Sequence, residues 1–211
     1  MSGVFYYLSR NPGCYERLAA EIRSTFDSGK EISSGPKLSS CRYLRACIDE
    51  SLRMSPPVSG TLWRQRYADD TSSDPLVVDG HVIPPGTHVG VNTYALHHEE
   101  SYFPDSYKYK PERWIEADQD TRMRMNQAFS AFSIGPRGCA GKPIAYLEAS
   151  LVVARALWYF DFSVAPGESG KLGDDAANPG EFEIWDIFSS HQEGPNLVFQ
   201  PRGDYWKDLR V

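Results

Sequence analysis

The chain has 211 residues, of which 22 are basic and 28 acidic, and no block of lysine or arginine could neutralise phosphates, so we expect no nucleic-acid partner. Hydrophobic residues make up 41% of the sequence, which is typical of a globular protein and excludes a disordered one. The four cysteines have neither the paired spacing of a zinc site nor the density of a secreted disulfide framework, which indicates a reducing, intracellular compartment.

The N-terminal part of the chain is predicted to be helical. Its opening MSGVFYYLSRNPG has a helix-like pattern, and the apolar run is too short for a signal sequence. Asn11 and Pro12 are typical of the N-cap and first position of a helix, and the apolar spacing after them predicts about four turns. A second helix is predicted over CRYLRACIDESLRM, and it ends at Pro56 and Pro57.

The middle of the chain is predicted to form a small antiparallel sheet. Three short segments rich in β-branched and aromatic residues carry this prediction: TLWRQRY, PLVVDGHVIP and THVGVN. A strong helix is predicted from residue 141 to about residue 160, and its apolar stretch is too short to span a membrane. EFEIWDIF and PNLVFQ are predicted to pair as a second hairpin. The fold class is therefore mainly α with small antiparallel β-sheets (α+β).

The segment FSIGPRGCAG places Cys139 among three glycines, directly before the last predicted helix. Cysteine is often a buried core residue, so simple packing is the first alternative. Gly135, Gly138 and Gly141 instead leave the backbone bare, which permits close approach by something flat or large. A helix N-terminus stabilises a thiolate, and Arg137 is a fixed cation for an anionic group. Together these features indicate an iron porphyrin better than a free nucleophile, because the spacing supplies no histidine partner.

The pattern Phe132-x-x-Gly135-x-Arg137-x-Cys139-x-Gly141 resembles the haem-ligand signature of the cytochrome P-450 family, the haem-thiolate monooxygenases. The resemblance implies haem b (iron protoporphyrin IX) as cofactor, with Cys139 as the axial ligand of its iron. It makes Phe132 the ring beside the sulfur and Arg137 a partner of a haem propionate. It also implies insertion of one oxygen atom from dioxygen into a lipophilic small molecule, with an NADPH-dependent reductase as electron donor.

Two further motifs, ESLR and PERW, bear on the same resemblance. Glu50 and Arg53 lie three residues apart, and on a helix surface they would form an ordinary ion pair worth a few tenths of a kcal/mol. At about 100° per residue, however, Glu50 falls at the edge of the apolar stripe, whereas Arg45 and Asp49 share the polar side. A buried carboxylate needs cationic partners, and Arg113 supplies a second. The set resembles the family's Glu, Arg and Arg network, which supports the haem loop structurally.

The resemblance also implies residues that meet the haem edge and the substrate. Arg64 stands where the family has a second propionate-binding arginine, although either Arg64 or Arg66 could reach the haem and two arginines on a strand often form a solvated face. Residues 58–62 match the family segment that touches substrate, and residues 188–190 resemble the turn that enters the pocket. The substrate-lining residues implied are Val58, Ser59, Gly60, Thr61, Phe188 and Ser189. His97 and His98 are adjacent, so they cannot form an i, i+4 metal pair and are interpreted as structural.

The resemblance covers essentially all 211 residues but corresponds to the C-terminal portion of a typical family member. We therefore expect a single partial domain over residues 1–211, without the central oxygen-activating helix and with no catalytic residue of its own. Two hypotheses stay open: a truncated haem-thiolate monooxygenase, and a non-catalytic haem-binding or interaction fragment. The sequence looks most like fungal secondary-metabolism members. Such relatives are usually held at the endoplasmic reticulum membrane by an N-terminal helix, and we expect no such anchor within these 211 residues.

Overall fold

The computed structural model describes residues 1–67, 69–70 and 74–209, and it has the predicted α+β composition. The α-helices are α1 (Ser2–Arg10), α2 (Pro12–Thr25), α3 (Pro36–Ser39), α4 (Arg42–Met54), α5 (Thr93–His97), α6 (Arg113–Glu116), α7 (Gln119–Ala128) and α8 (Lys142–Tyr159). The strands are β1 (Arg64–Gln65), β2 (Leu76–Val78), β3 (His81–Ile83), β4 (His88–Val89), β5 (Phe160–Val164), β6 (Trp185–Ile187), β7 (Ser189–His191) and β8 (Leu197–Pro201).

The main core lies where α1, α2, α4 and α8 pack against one another. Leu18, Leu44 and Leu157 are at most 1% exposed there, one from each of the three longest of these helices. Glu21 of α2 fixes the start of α4, because its carboxylate accepts hydrogen bonds from the backbone N–H groups of Tyr43 and Leu44 at 2.9 and 2.8 Å. Those N–H groups have no partner within the helix. The packing places α4 and α8 side by side behind the loop that precedes α8.

The strands form two-stranded antiparallel sheets: β1 with β4, β2 with β3, β5 with β8, and β6 with β7. The predicted pairing of EFEIWDIF with PNLVFQ is wrong. β6 turns at Phe188 and pairs with β7, whereas β8 pairs with β5 over five residues. The predicted last helix, from residue 141 to about residue 160, matches α8, and no strand was predicted directly after it. The Phe162 ring of β5 lies 5.4 Å from that of Phe199 on β8. A longer ladder with cross-strand aromatic contacts stabilises this pairing.

Candidate functional site

The loop between α7 and α8 presents Cys139 at the surface. The Cys139 N–H donates to the Phe132 carbonyl at 2.8 Å, and the Gly138 N–H donates to the Gly135 carbonyl at 2.9 Å, which closes a tight turn. Gly135 has a φ of +74°, a conformation that side-chain-bearing residues rarely adopt. A Cβ on Gly141 would lie 3.7 Å from the Cys139 Sγ atom. One glycine therefore permits the turn, and the other keeps space open beside the sulfur.

Cys139 is the exposed member of the four cysteines, all of which are free thiols. Cys41 and Cys47 are buried in the core, and Cys14 is half-buried. Cys139 therefore does not pack into the core that the described residues form. Its Sγ atom has no hydrogen-bond partner among the residues the structure describes, so the thiol is available to an external electrophile or metal.

The chemistry around the thiol fits a haem group. Thiol sulfur is a ligand for iron, and apolar side chains suit the faces of a porphyrin. Ile134 and Ile144, on either side of Cys139 in the sequence, are each 62% exposed. Arg137 is exposed and, within the described part of the chain, has no ion pair, which leaves its guanidinium able to bind a carboxylate. The loop thus combines a soft metal ligand, apolar surface and an unpaired cation.

A buried ion network lies behind the loop and is centred on Glu50, whose helical position predicts at least partial burial and which is fully buried. Arg53 donates to both carboxylate oxygens, from Nε to Oε2 at 3.0 Å and from NH2 to Oε1 at 2.9 Å. Arg113 Nε donates to Oε1 at 3.0 Å, and Trp114 Nε1 donates to Oε2 at 2.9 Å. The Lys110 N–H adds a bond of 3.0 Å. ESLR and PERW therefore meet on one carboxylate.

The charges in this network decide the protonation state of Glu50. Burial alone would raise the pKa of its carboxyl group, but Arg53 and Arg113 with their hydrogen bonds outweigh burial and lower that pKa. Glu50 is thus an anion held between two cations. Trp114 was missed as a partner because an indole N–H gives no charge signal in a sequence.

His97 carries the network to the cysteine loop. Its Nε2 atom accepts a hydrogen bond from the Ser130 N–H at 2.9 Å, so the proton lies on Nδ1, which faces the Arg53 carbonyl at 3.2 Å. Arg53 NH1 in turn donates to the His97 carbonyl at 2.8 Å. A neutral imidazole therefore joins α4 to the segment that leads into Phe132.

We expect His97 to make stability fall on acidification. Burial lowers the pKa of His97 from 6.5 to about 3, so its contribution is full above pH 6.5 and is lost as the pH falls towards 3. Since each pKa unit corresponds to about 1.4 kcal/mol, the loss amounts to several kcal/mol. Urea denaturation between pH 7 and 4 should show a flatter decline in the His97→Gln variant. His81→Gln, on exposed β3, is the control, and equal slopes for the two variants would contradict the assignment.

The structure distinguishes the two arginines near β1. Arg66 pairs with Asp70 at 3.0 Å and also donates to the Asp74 carbonyl at 2.6 Å. The exposed side chain of Arg64 has only a local bond from NH1 to the Trp63 carbonyl, at 2.9 Å, and no ion pair within the described residues. Of the two, Arg64 has the guanidinium that is not committed to a carboxylate.

The two segments predicted to touch substrate lie far apart in sequence and meet in the structure. The Ser190 N–H donates to the Pro57 carbonyl at 2.6 Å, and its hydroxyl lies 3.3 Å from that of Ser59. Ser59 and Gly60 are buried, and a Cβ on Gly60 would overlap the Asp186 carboxylate. Val58 and Thr61 are half-buried, whereas Phe188 and Ser189 at the hairpin tip are exposed.

A cavity of about 290 Å³ connects this region to the cysteine loop. Its lining includes Phe132 from the loop, Pro57 from the segment after α4, and Ser190 from β7. The remaining walls come from α1, α4 and α8. The Phe132 ring and Ser190 of the hairpin therefore face one space, whereas the six residues predicted to line the substrate do not line this cavity.

Asp49 of α4 is buried, although the helical periodicity placed it on the polar side with Arg45. Its side chain is only 12% exposed. Tyr146 of α8 covers it and donates its hydroxyl to Asp49 Oδ1 at 2.6 Å. A helical wheel of α4 alone carries no signal for this burial, because the covering helix lies almost a hundred residues away in sequence.

Fold and site together define a mainly helical α+β protein with an exposed thiol on a glycine-rich turn, supported from behind by a buried carboxylate and two arginines. The chain belongs to the cytochrome P-450 family, whose sequence model matches residues 1–179. That family consists of haem-dependent oxidoreductases. Among the described residues, no α-helix has both the length and the apolar character needed to cross a membrane.

Individual relatives are fungal monooxygenases of the same family. The chain is 40% identical over 205 residues to cytochrome P-450 monooxygenase apf7 of Gibberella fujikuroi, covering 96% of this chain and 38% of that protein. It is 41% identical over 209 residues to apf8 of the same organism, covering 96% and 55%. It is 39% identical over 205 residues to lcsN of Purpureocillium lilacinum, covering 96% and 59%. The chain thus spans between about two fifths and three fifths of these relatives.

Proposed function

We propose that the chain binds haem b through Cys139 and acts as the haem-thiolate part of a monooxygenase. The single observation that carries this proposal is the exposed Cys139 thiol on a turn that is hydrogen-bonded to Phe132 and linked through Ser130 and His97 to the Glu50 network. A catalytic nucleophile would need a general base within hydrogen-bond reach, and the Cys139 Sγ atom has no hydrogen-bond partner among the described residues. A metal ligand needs rigid support, because second-shell contacts orient the ligand and tune the metal.

Each residue of the site then has a defined part. Cys139 would hold the iron, Gly135 and Gly141 would give the porphyrin clearance, and Arg137 and Arg64 would bind the two propionates. When bound, the haem supplies dioxygen activation, with the thiolate donating electron density that favours O–O cleavage. The Phe132 ring would lie beside the sulfur, as the resemblance implies.

The substrate and the electron donor are also part of the proposal. A lipophilic small molecule would contact the exposed Phe188 ring and the segment at residues 58–61, which meets the same hairpin where the Ser59 hydroxyl lies 3.3 Å from that of Ser190. An NADPH-dependent reductase would supply the electrons that reduce the iron. The relatives apf7, apf8 and lcsN are monooxygenases, which supports this reaction class.

The proposed function can be tested on the chain loaded with haem. We expect the reduced, carbon monoxide-bound protein to show the red-shifted Soret band of thiolate ligation. Addition of a reductase and NADPH should then give oxygen transfer to a lipophilic probe such as lauric acid. A band without product would leave a non-catalytic haem-binding chain, and an unshifted Soret band would reject thiolate ligation.

Arg64 should contribute to haem affinity and Arg66 should not. Because a hydrogen bond to a charged group is worth about 1.5–3 kcal/mol, Arg64→Ala should weaken haem binding by roughly tenfold or more. Arg66→Ala is the matched control, since that side chain is committed to Asp70. Fluorescence-quenching titration with haem measures both constants. A larger loss for Arg66→Ala would reverse the assignment.

A further inference from the structure

We propose that Tyr146 and Asp49 are positioning residues that hold the cysteine loop from its α8 side. The proposal rests on the haem-thiolate function only for its prediction that Tyr146 affects the thiolate bound to iron. Its other prediction, that α4 supports Phe132 and Cys139 through Tyr146, can be measured on the chain without haem.

A hydrogen bond and a cation–π contact hold the Tyr146 ring. Asp49 uses both carboxylate oxygens: Oδ1 accepts from the Tyr146 hydroxyl at 2.6 Å, and Oδ2 accepts from Arg45 Nε at 2.9 Å. The Arg45 guanidinium carbon also lies 3.5 Å from the centre of the Tyr146 ring. A hydrogen bond at one end and a cation over the face leave the ring one orientation.

The Tyr146 ring contacts the cysteine loop through Phe132. The Tyr146 and Phe132 rings lie 5.1 Å apart at an interplanar angle of 45°. The Phe132 carbonyl accepts the Cys139 N–H at 2.8 Å. Contacts therefore run without a gap from Asp49 through Tyr146 and Phe132 to the backbone of Cys139. A change in the orientation of Tyr146 would be transmitted to the residue that anchors Cys139.

The neighbouring residues Asp49 and Glu50 of α4 support different parts of the cysteine loop. Glu50 binds Arg53 and Arg113, and its network reaches the loop through His97 and Ser130. Asp49 binds none of these and reaches the loop through α8 instead. Two adjacent carboxylates thus support two different parts of the loop, and losing either one would leave the other contact in place.

The chain offers a closely matched control. Tyr15 donates its hydroxyl to Asp161 Oδ1 at 2.7 Å, and Arg23 NH2 pairs with the same oxygen at 2.6 Å. The Tyr15 ring packs on Phe162, with centroids 5.0 Å apart, and not on the cysteine loop. Tyr15→Phe therefore removes the same kind of hydrogen bond, from the same trio of residue types, at another place.

The test compares Tyr146→Phe with Tyr15→Phe by amide hydrogen exchange in the haem-free chain. The Cys139 amide should exchange about tenfold faster in Tyr146→Phe, as expected for the loss of one buried hydrogen bond, relative to the Val153 amide within α8. Tyr15→Phe should leave this ratio unchanged. Asp49→Asn retains an acceptor for the Tyr146 hydroxyl, so its ratio of Cys139 to Val153 exchange should stay near that of the unaltered chain.

The haem-loaded variants supply the second readout. Part of the ferrous carbonyl band of Tyr146→Phe should move to the position of a neutral-thiol ligand, and the band of Tyr15→Phe should not. Equal Cys139 exchange in the two tyrosine variants would overturn the proposal, whether or not haem binds. The expected exchange contrast in a chain whose unaltered form shows no thiolate band would reject the haem assignment and leave the positioning role intact.

Discussion

Replacing Arg53 by alanine is expected to lower the free energy of unfolding by about 3–5 kcal/mol, the cost of removing one partner from a buried ion pair. Arg53 is completely buried, and its guanidinium makes two bonds to Glu50 and one to the His97 carbonyl. Its loss leaves Glu50 as a buried anion with Arg113 as its remaining cation. A domain of this size is stable by only about 5–15 kcal/mol, so much of that margin would disappear.

Urea denaturation measures this loss as a shift in midpoint at an unchanged slope. Arg53→Lys should recover little, because an ammonium group cannot reproduce the two-point contact with the carboxylate. Arg17→Ala is the control: Arg17 is 47% exposed and pairs with Glu112, so it should lose less than about 1 kcal/mol. Similar losses for Arg53→Ala and Arg17→Ala would show that the network has no special role in stability.

Replacing Cys139 by alanine is expected to abolish the red-shifted ferrous carbonyl band completely. The same change should leave the free energy of unfolding within about 0.5 kcal/mol, because the side chain is exposed and its Sγ atom makes no hydrogen bond to the described residues. Loss of function without loss of stability is the pattern of a ligand and not of a packing residue.

Cys14→Ala provides the comparison for this prediction. Cys14 is half-buried and packs against the main core, so its replacement should reduce stability and leave the band in place. Absorption spectra of the reduced, carbon monoxide-bound variants, together with thermal unfolding of both, separate the two effects. A Cys139→Ala chain that kept the red-shifted band would show that another atom binds the iron.

At least partial burial of Glu50 could be predicted from the sequence, because the periodicity of α4 places it at the edge of the apolar stripe. Its pairing with Arg53 also lies within that helix, and Arg113 was reached through the resemblance of PERW to the family. The bonds from Trp114 and the Lys110 N–H could not be predicted, since they depend on how the segment before α6 folds back over α4. Local spacing therefore accounts for the helix and the charge pair but not for the complete shell.

The burial of Asp49 and the pairing of the C-terminal strands could not be predicted from the sequence. Asp49 is buried because Tyr146 of α8 covers it, and β8 pairs with β5 across some forty residues. Both outcomes depend on contacts between elements far apart in the chain, and a short apolar run after a helix is ambiguous between helix and strand. The sequence favoured Arg64 over Arg66 for the propionate but left both possible, because the contacts of Arg66 with Asp70 and with the Asp74 carbonyl depend on how the segment after β1 folds.

We expect the sulfur of Cys139 to bind the haem iron. Iron K-edge X-ray absorption of the haem-loaded chain tests it most directly, because the fine structure distinguishes a sulfur neighbour from nitrogen and oxygen. We predict one sulfur atom in the first shell of the iron, present in the unaltered chain and in Cys14→Ala and lost in Cys139→Ala. A first shell of nitrogen and oxygen alone in the unaltered chain, or a sulfur neighbour that persists in Cys139→Ala, would contradict the claim.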